Sequence, residues 1–341
     1  GLLIFLAIVI PSLLLADLSN IYIQLLLLST AWLATIGFID DYIKVFKKDK
    51  RGLSGKFKVL GQVGLGIIVA FTMLLHEDIV VRMNAEEANE RGLMISETIP
   101  SSMETGNISD EYVYVQTTLT NVPFFKNNLI DYKDVLFFLG ENAEVWAWVV
   151  FVPLVIFIVT AVSNGANLTD GLDGLAAGVS AVIVAALAIL SYVSGNTIIA
   201  EYLNILYLPY TGEIVVFSAS FLGACIGYLW YNAYPAKVFM GDTGSLMLGG
   251  LIAALAILIR KELLIPILCG IFLVENLSVI LQVGYFKYTR RTQGEGKRIW
   301  LMTPIHHHFQ KKGVHESVIV VRFWIIAILL AVITIITLKI R

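Results

Sequence analysis

The chain has 341 residues, of which 57% are hydrophobic and 15% charged, against about 25% charged in ordinary soluble domains. Mean hydropathy is +0.80; a water-soluble core cannot absorb that much apolar surface, and the same figures exclude disorder, so the sequence reads as an integral membrane protein. The net charge of −2 gives no case for nucleic acid, and Cys225 and Cys269, both in apolar runs, fit neither a zinc site nor a disulfide framework.

A membrane helix needs about 20 mostly apolar residues. Nine stretches qualify or nearly qualify: 2–16, 21–39, 57–75, 146–163, 174–194, 213–231, 244–259, 263–286 and 319–338. The fold class is therefore all-α, a polytopic membrane helical bundle. The first stretch is short and opens at Gly1 with no Met and no basic run, so an upstream segment is expected and no signal peptide is assigned. Pro11, Pro153 and Pro266 fall within or near spans, which membrane helices tolerate.

Sidedness follows from Lys and Arg. Segment 40–58 carries seven of them and segment 287–318 seven more. Six spans separate the two, so they share one side, expected to be the cytoplasm. Segment 76–145 lies opposite. It holds 13 acidic residues and four basic ones, Arg82, Arg91, Lys126 and Lys133. The chain thus divides into 1–75, an extracytoplasmic acidic insert over 76–145, and 146–341. Val113-Tyr114-Val115 and the turn at Asn121-Val122-Pro123 suggest short strands or irregular structure, and the insert is expected to be dispensable for chemistry on the far face.

Carboxylates at the edge of a bilayer are costly and point to function. Asp40-Asp41-Tyr42-Ile43-Lys44 closes an apolar helix; adjacent carboxylates repel, so the pair gains from a cation, although Asp40 and Lys44 could simply form an i,i+4 ion pair. The run from Asn164 to Gly174 sets two Asn, two Asp and three Gly between membrane helices. Asn167, Asp170 and Gly174 can share a helical face, denser in polar groups than a turn needs. In the run from Asn232 to Ser245, Asp242 precedes a helix. It could serve as an N-cap, or hold a hard divalent cation that in turn holds a phosphate. Finally, His306-His307-His308 follow Thr303-Pro304 in a basic loop. Three consecutive histidines cannot all face one zinc ion from a regular helix, and they suit phosphate contacts better. Four polar clusters on one face, offering carboxylates for Mg²⁺ and cations for phosphates, support phosphoryl transfer. A transporter would instead carry ionisable groups deep in its spans.

These motifs, Asp40-Asp41, Asn164–Gly174, Asn232–Ser245 and Pro304–His308, with Gly294-Glu295-Gly296-Lys297-Arg298 before the histidines, resemble the polyprenyl-phosphate N-acetylhexosamine-1-phosphate transferase superfamily, in its phospho-N-acetylmuramoyl-pentapeptide-transferase branch. The resemblance covers the whole chain apart from 76–145. It implies ten membrane helices, so the first and the cytoplasmic loop after it are expected upstream of Gly1. It implies a multi-pass protein of the bacterial cytoplasmic membrane with its active site on the cytoplasmic face, and a homodimer. It also implies a reaction: UDP-MurNAc-pentapeptide and undecaprenyl phosphate give lipid I and UMP, with Mg²⁺. The runner-up is a UDP-GlcNAc transferase of the same superfamily. By resemblance Asp40, Asp41 and Asp242 are catalytic, with Asp242 the metal ligand. Lys44, Lys56, Asn167, Asp170, Gly171, Asp173, Asn232, Phe239, Gln282, His306, His307 and His308 are substrate-binding. Gln310 stands where many relatives carry an acidic residue.

Overall fold

The computed structural model describes residues 1–93, 95–98, 112–124 and 128–339; Lys126, counted above, lies outside them. Fourteen α-helices form among these residues: α1 (Leu2–Leu15), α2 (Ile21–Val45), α3 (Gly55–Leu75), α4 (Ala85–Glu90), α5 (Ala143–Trp146), α6 (Trp148–Thr169), α7 (Leu175–Ser194), α8 (Thr197–Leu203), α9 (Gly212–Asn232), α10 (Gly241–Leu258), α11 (Ile265–Leu268), α12 (Gly270–Gln293), α13 (Ile305–Lys311) and α14 (Glu316–Thr337). Seven of them (α2, α3, α6, α7, α9, α10 and α14) are long and apolar enough to cross a membrane, and the bent pair leading into α12 makes up to eight. The protein is a multi-pass membrane bundle. The stretch expected as one span over 263–286 is broken instead: the chain turns by 75° between Glu262–Leu268 and Gly270–Gln293. α12 then continues seven residues past 286 and carries Lys287, Arg290 and Arg291 beyond the apolar zone. Helix α1, with 14 residues, is shorter than a span.

The bundle is built around α10. Its sequence is nearly all small or aliphatic, and every residue from Thr243 to Leu258 is buried. A helix apolar on all faces must be surrounded, and α10 packs on α2, α6 and α7. Gly249 and Gly250 make the closest approaches possible: a side chain at 249 would enter the backbone of α6 at Val162–Ser163, and one at 250 would meet Leu33 of α2. The peripheral helices show the opposite pattern. Ile325, Leu329, Val332 and Ile336 on α14 are about half exposed, as befits a surface solvated by lipid rather than water.

The insert carries β1 (Val81–Asn84), β2 (Ile95–Thr98), β3 (Tyr112–Val115), β4 (Leu119–Asn121) and β5 (Leu129–Asp131). The first three form an antiparallel sheet in the order β1-β3-β2, with Val81 opposite Val115, and the last two pair as a ribbon, with Asn121 opposite Leu129. Its inner edge is pinned to the bundle by buried polar contacts. Lys261 Nζ donates to Asn121 Oδ1 at 2.5 Å, Thr120 Oγ1 donates to the Arg260 carbonyl at 3.1 Å, and the Tyr132 hydroxyl donates to Glu262 at 2.8 Å. Asn128 Nδ2 donates to the Leu338 carbonyl at 2.8 Å. The basic segments 40–58 and 287–318 emerge at the opposite end, which the excess of Lys and Arg marks as cytoplasmic.

Candidate active site

At that end the start of α10 is seated on the end of α2. The first backbone N–H groups of a helix have no partner inside it, and here Asp41 supplies one from another helix. Its Oδ1 accepts from the Asp242 N–H at 3.0 Å; its Oδ2 accepts from the Thr243 N–H at 2.9 Å and the Thr243 hydroxyl at 2.5 Å. A carboxylate is also the favoured charge at a helix N-terminus. Gly241 has φ +66°, and a side chain there would run into the Asp41 carboxylate. One turn back on α2, a side chain at Gly37 would strike the Asp242–Thr243 backbone. The two helices therefore fix where Asp242 stands.

Two ammonium groups bridge the other carboxylates. Asp40 is fully buried; its Oδ1 accepts from the Leu53 N–H at 2.7 Å and lies 2.9 Å from Lys58 Nζ. Lys44, one turn on, contacts Asp40 closely and reaches Asp242 Oδ1 at 3.3 Å. Lys58 also contacts Asp242 closely. Three carboxylates and two ammoniums leave a formal charge of −1. Asp40, Asp41 and Asp242 each offer an oxygen within 4.8 Å of the others, the metal-capable cluster found among the described residues. Hard carboxylate oxygens suit Mg²⁺. Asp41 already accepts three hydrogen bonds and Asp40 is engaged by Leu53, Lys44 and Lys58, so Asp242 is the freer donor.

Lys58 rather than Lys56 meets the carboxylates; Lys56 is exposed. The signal was present in the spacing: Lys58 and Gln62 are i,i+4 on α3. Gln62 is buried in the same wall, where its Oε1 accepts from Asn164 Nδ2 at 2.9 Å and its Nε2 donates to Ser163 at 3.1 Å.

The end of α6 forms the next wall. Asn167 Nδ2 donates to Ser245 Oγ on α10 at 2.8 Å. Burial, with Asp242 and Asp41 close by, pushes the Asp170 carboxyl up to about 7. Asp173 and Asn232 knit the loop after α6 to the loop after α9: Asp173 Oδ2 accepts from the Ala236 N–H at 2.8 Å, and Asn232 Oδ1 accepts from the Gly174 N–H at 3.1 Å. Asn232 Nδ2 donates to the Val238 carbonyl at 2.8 Å, and Phe239 beyond it is 77% exposed. Glu316, at the start of α14, accepts from the Asp173 N–H at 2.8 Å.

The three histidines lie on the short helix α13 rather than in a loop. Their imidazoles go to three different partners. His306, fully buried, sets Nδ1 3.1 Å from Glu275 Oε1 on α12, itself fully buried. His307 Nδ1 lies 3.1 Å from Gln310 Oε1, and His308 Nδ1 accepts from the Leu301 N–H at 3.2 Å. This divergence suits no single metal ion. The space a side chain at Gly171 would need is taken by the Nε2 atoms of His306 and His307, so the histidines close on the loop after α6. Burial and the neighbouring His306 hold His307 below the usual histidine range. Gln282 is committed to backbone: its Oε1 accepts from the Ile299 and Trp300 N–H groups at 2.9 and 3.1 Å, and its Nε2 donates to the Trp300 carbonyl at 3.0 Å. Sequence reasoning missed Lys58, Glu275 and Glu316. Glu275 could have been found as the lone carboxylate inside an apolar span.

Comparison with known proteins identifies the family. A family model described as glycosyl transferase family 4 matches residues 111–260. A phospho-N-acetylmuramoyl-pentapeptide-transferase from Flavobacterium psychrophilum is 57% identical over 341 residues, all of this chain and 81% of the relative. The transferase of the same name from Flavobacterium johnsoniae is 57% identical with the same coverage, and that from Parabacteroides distasonis is 55% identical over 355 residues, covering 82% of its length. With such identity along its whole length, built around a carboxylate–lysine cluster at one membrane face, the chain belongs to the phospho-N-acetylmuramoyl-pentapeptide-transferase family.

Proposed function

We propose that the protein transfers phospho-MurNAc-pentapeptide from UDP-MurNAc-pentapeptide to undecaprenyl phosphate at the cytoplasmic face of the bacterial inner membrane, giving lipid I and UMP. The observation that carries this reading is the junction of α2, α3 and α10, where Asp40, Asp242, Lys44 and Lys58 meet in a chain of this family.

The charges explain why such a site is needed. The acceptor is a phosphate monoester carrying roughly −1.5 to −2 at pH 7, and the diphosphate of the donor carries about −2. Bringing them together at the edge of hydrocarbon is costly unless they are neutralised. Lys44 and Lys58 can swing from carboxylate to phosphate. Asp242 would hold Mg²⁺, which when bound supplies further neutralisation of the diphosphate. An oxygen of the lipid phosphate bonds to the phosphorus that bears the sugar; the bridging P–O bond to UMP breaks and UMP leaves with the electron pair. Because most of the lipid phosphate is already dianionic at pH 7, removing its last proton gains less than about tenfold. Asp40, fully engaged by Leu53, Lys44 and Lys58, works in this scheme by positioning the lysines. His307, His308 and the loop at Gly171 would receive the nucleotide sugar.

The test is incubation of the purified protein with UDP-MurNAc-pentapeptide, undecaprenyl phosphate and Mg²⁺, measuring UMP. Parallel reactions with UDP-GlcNAc should release none. Release from UDP-GlcNAc alone would move the chain to the sister activity, and release from neither would refute the reading.

A further inference from the structure

The end of the insert with the two residues after it, 132–147, has two unlike sides. One side is buried against the bundle. Tyr132 is 3% exposed, with its ring 5.4 Å from that of Phe151, and Leu136, Ala143 and Ala147 are also buried. The other side presents Val135, Phe137, Phe138, Val145 and Trp146, with Phe137 82% and Phe138 69% exposed. In water such a patch would be a liability.

Its position accounts for it. The tight turns of Tyr132–Asn142 run through α5 directly into α6, a span whose first residue is Trp148. The Trp146 and Trp148 rings stack with centroids 6.1 Å apart, so the patch continues without a break onto the exposed side of α6, where Trp148, Val149 and Phe157 follow. Trp146 is two residues from the start of the span, at most about 7 Å along the chain. That places it at the depth where aromatic side chains gather, between headgroups and acyl chains. The segment is too short to cross a bilayer. Lys133 against Asp134, Glu141 and Glu144 gives it a net charge of −2, so no cationic attraction to anionic headgroups is available and apolar burial must do the holding.

We propose that residues 132–147 form an interfacial foot, lying flat in the outer leaflet with Val135, Phe137, Phe138, Val145 and Trp146 among the upper acyl chains. The occupant of this surface is lipid, and the foot fixes the height at which the insert stands on the membrane.

The native cysteines, Cys225 and Cys269, are both buried, so a nitroxide can be directed to a cysteine placed at Phe137 or Phe138 in the full chain. In phosphatidylcholine nanodiscs, labels at both positions should collide several-fold more with oxygen than with a water-soluble nickel chelate, as a label at lipid-facing Phe157 does. A label at exposed Lys47, on the cytoplasmic loop, should show the reverse. Anionic lipid should leave the pattern unchanged. A nickel accessibility at 137 and 138 equal to that at 47 would put the patch in water. Low collision with both reagents would mean a protein surface, such as a second copy, covers it. Either result overturns the proposal. If cysteine at these sites disturbs folding, Trp146→Phe gives an independent reading. The emission lost in that variant should be quenched more by lipids brominated near the carbonyl end of the chain than near the methyl end, and equal or reversed quenching would refute the foot.

Discussion

The carboxylate of Asp41, at the end of α2, receives the backbone N–H of Asp242, the second residue of α10, at 3.0 Å. Of the adjacent aspartates 40 and 41, one is thus spent on building the site and the other on its charge balance. Asn at 41 keeps one acceptor oxygen, loses the charge against the helix start, and leaves at least one of three donors unpaired, a cost of about 1.5–3 kcal/mol. Asp41→Asn is expected to lower both the melting temperature and UMP release. Asp242→Asn is expected to abolish release while the melting temperature holds, because its side chain supports no backbone. If Asp41→Asn melts like the parent yet is inactive, Asp41 belongs to the chemistry instead.

Lys58 and Lys56 provide a sharper contrast, since they are two residues apart and differ in what they touch. Lys58 bridges Asp40 and Asp242, whereas Lys56 is exposed. Loss of one charge-assisted phosphate contact corresponds to roughly 10- to 150-fold. Lys58→Met should therefore lower kcat/KM by at least about tenfold, and Lys56→Met by no more than about twofold. Steady-state UMP release at saturating lipid decides between them, and equal losses would remove Lys58 from its assigned place.

The four polar clusters were legible in sequence because charge at the end of an apolar run has few structural explanations. What each residue does was less legible. Asp41 and Gln282 carry the composition of ligand-binding groups, yet their acceptor atoms are filled by backbone N–H groups from α10 and from Ile299–Trp300. No local pattern encodes a cap supplied by a helix 200 residues away. The break before α12 was hidden because Ile265–Leu268 and Gly270–Gln293 read as one apolar run across Cys269. Lys58 was legible in principle through its i,i+4 relation to Gln62, but a lysine beside a basic loop reads first as a sidedness signal.

The histidines are expected to behave unequally. His306→Ala would leave Glu275 buried beside a cavity without its partner, a loss of about 3–5 kcal/mol by analogy with broken buried ion pairs, so the variant should melt early. His307→Ala and His308→Ala should fold and instead raise KM or lower kcat. A zinc chelator should move none of the melting temperatures. Chelator-sensitive unfolding with stoichiometric zinc would contradict the divergent partners of the three rings.

Asp170 predicts a pH dependence whose sign is fixed. Its carboxyl is raised to about 7 in the folded protein, chiefly by burial and then by Asp242 and Asp41, against about 3.9 unfolded. The folded state therefore holds the proton more tightly, and its contribution is full below about pH 4 and is lost as pH rises through about 7. In metal-free buffer, thermal stability should decline between those values by the order of a few kcal/mol. Asp170→Asn, uncharged throughout, should flatten the decline, which a melting series in detergent would register. Identical profiles for the parent and Asp170→Asn over that window would show that Asp170 is ionised in the fold.

The insert was expected to be dispensable, and the structure divides that expectation in two. The sheet β1-β3-β2 stands away from α10, whereas Thr120, Asn121 and Tyr132 cover the buried groups of Arg260, Lys261 and Glu262. Replacing 81–115 with a short linker should leave UMP release within about twofold, since α10 places its two ends about 27 Å apart at 1.5 Å per residue. Removing 76–145 entirely would bring three charged groups to a lipid edge, where unpartnered charge is expensive. Asn121→Leu isolates the effect in one side chain, because it takes away one of the two acceptors of the fully buried Lys261 ammonium, leaving the Ile259 carbonyl at 3.2 Å, and should cost about 1.5–3 kcal/mol. The variant should melt well below the parent, yet release UMP at the parental rate per folded molecule at low temperature. If it melts like the parent, Lys261 is not held through Asn121; if it is folded but inactive, the outer end of α10 acts on the site at the other end, and the separation of the two faces fails.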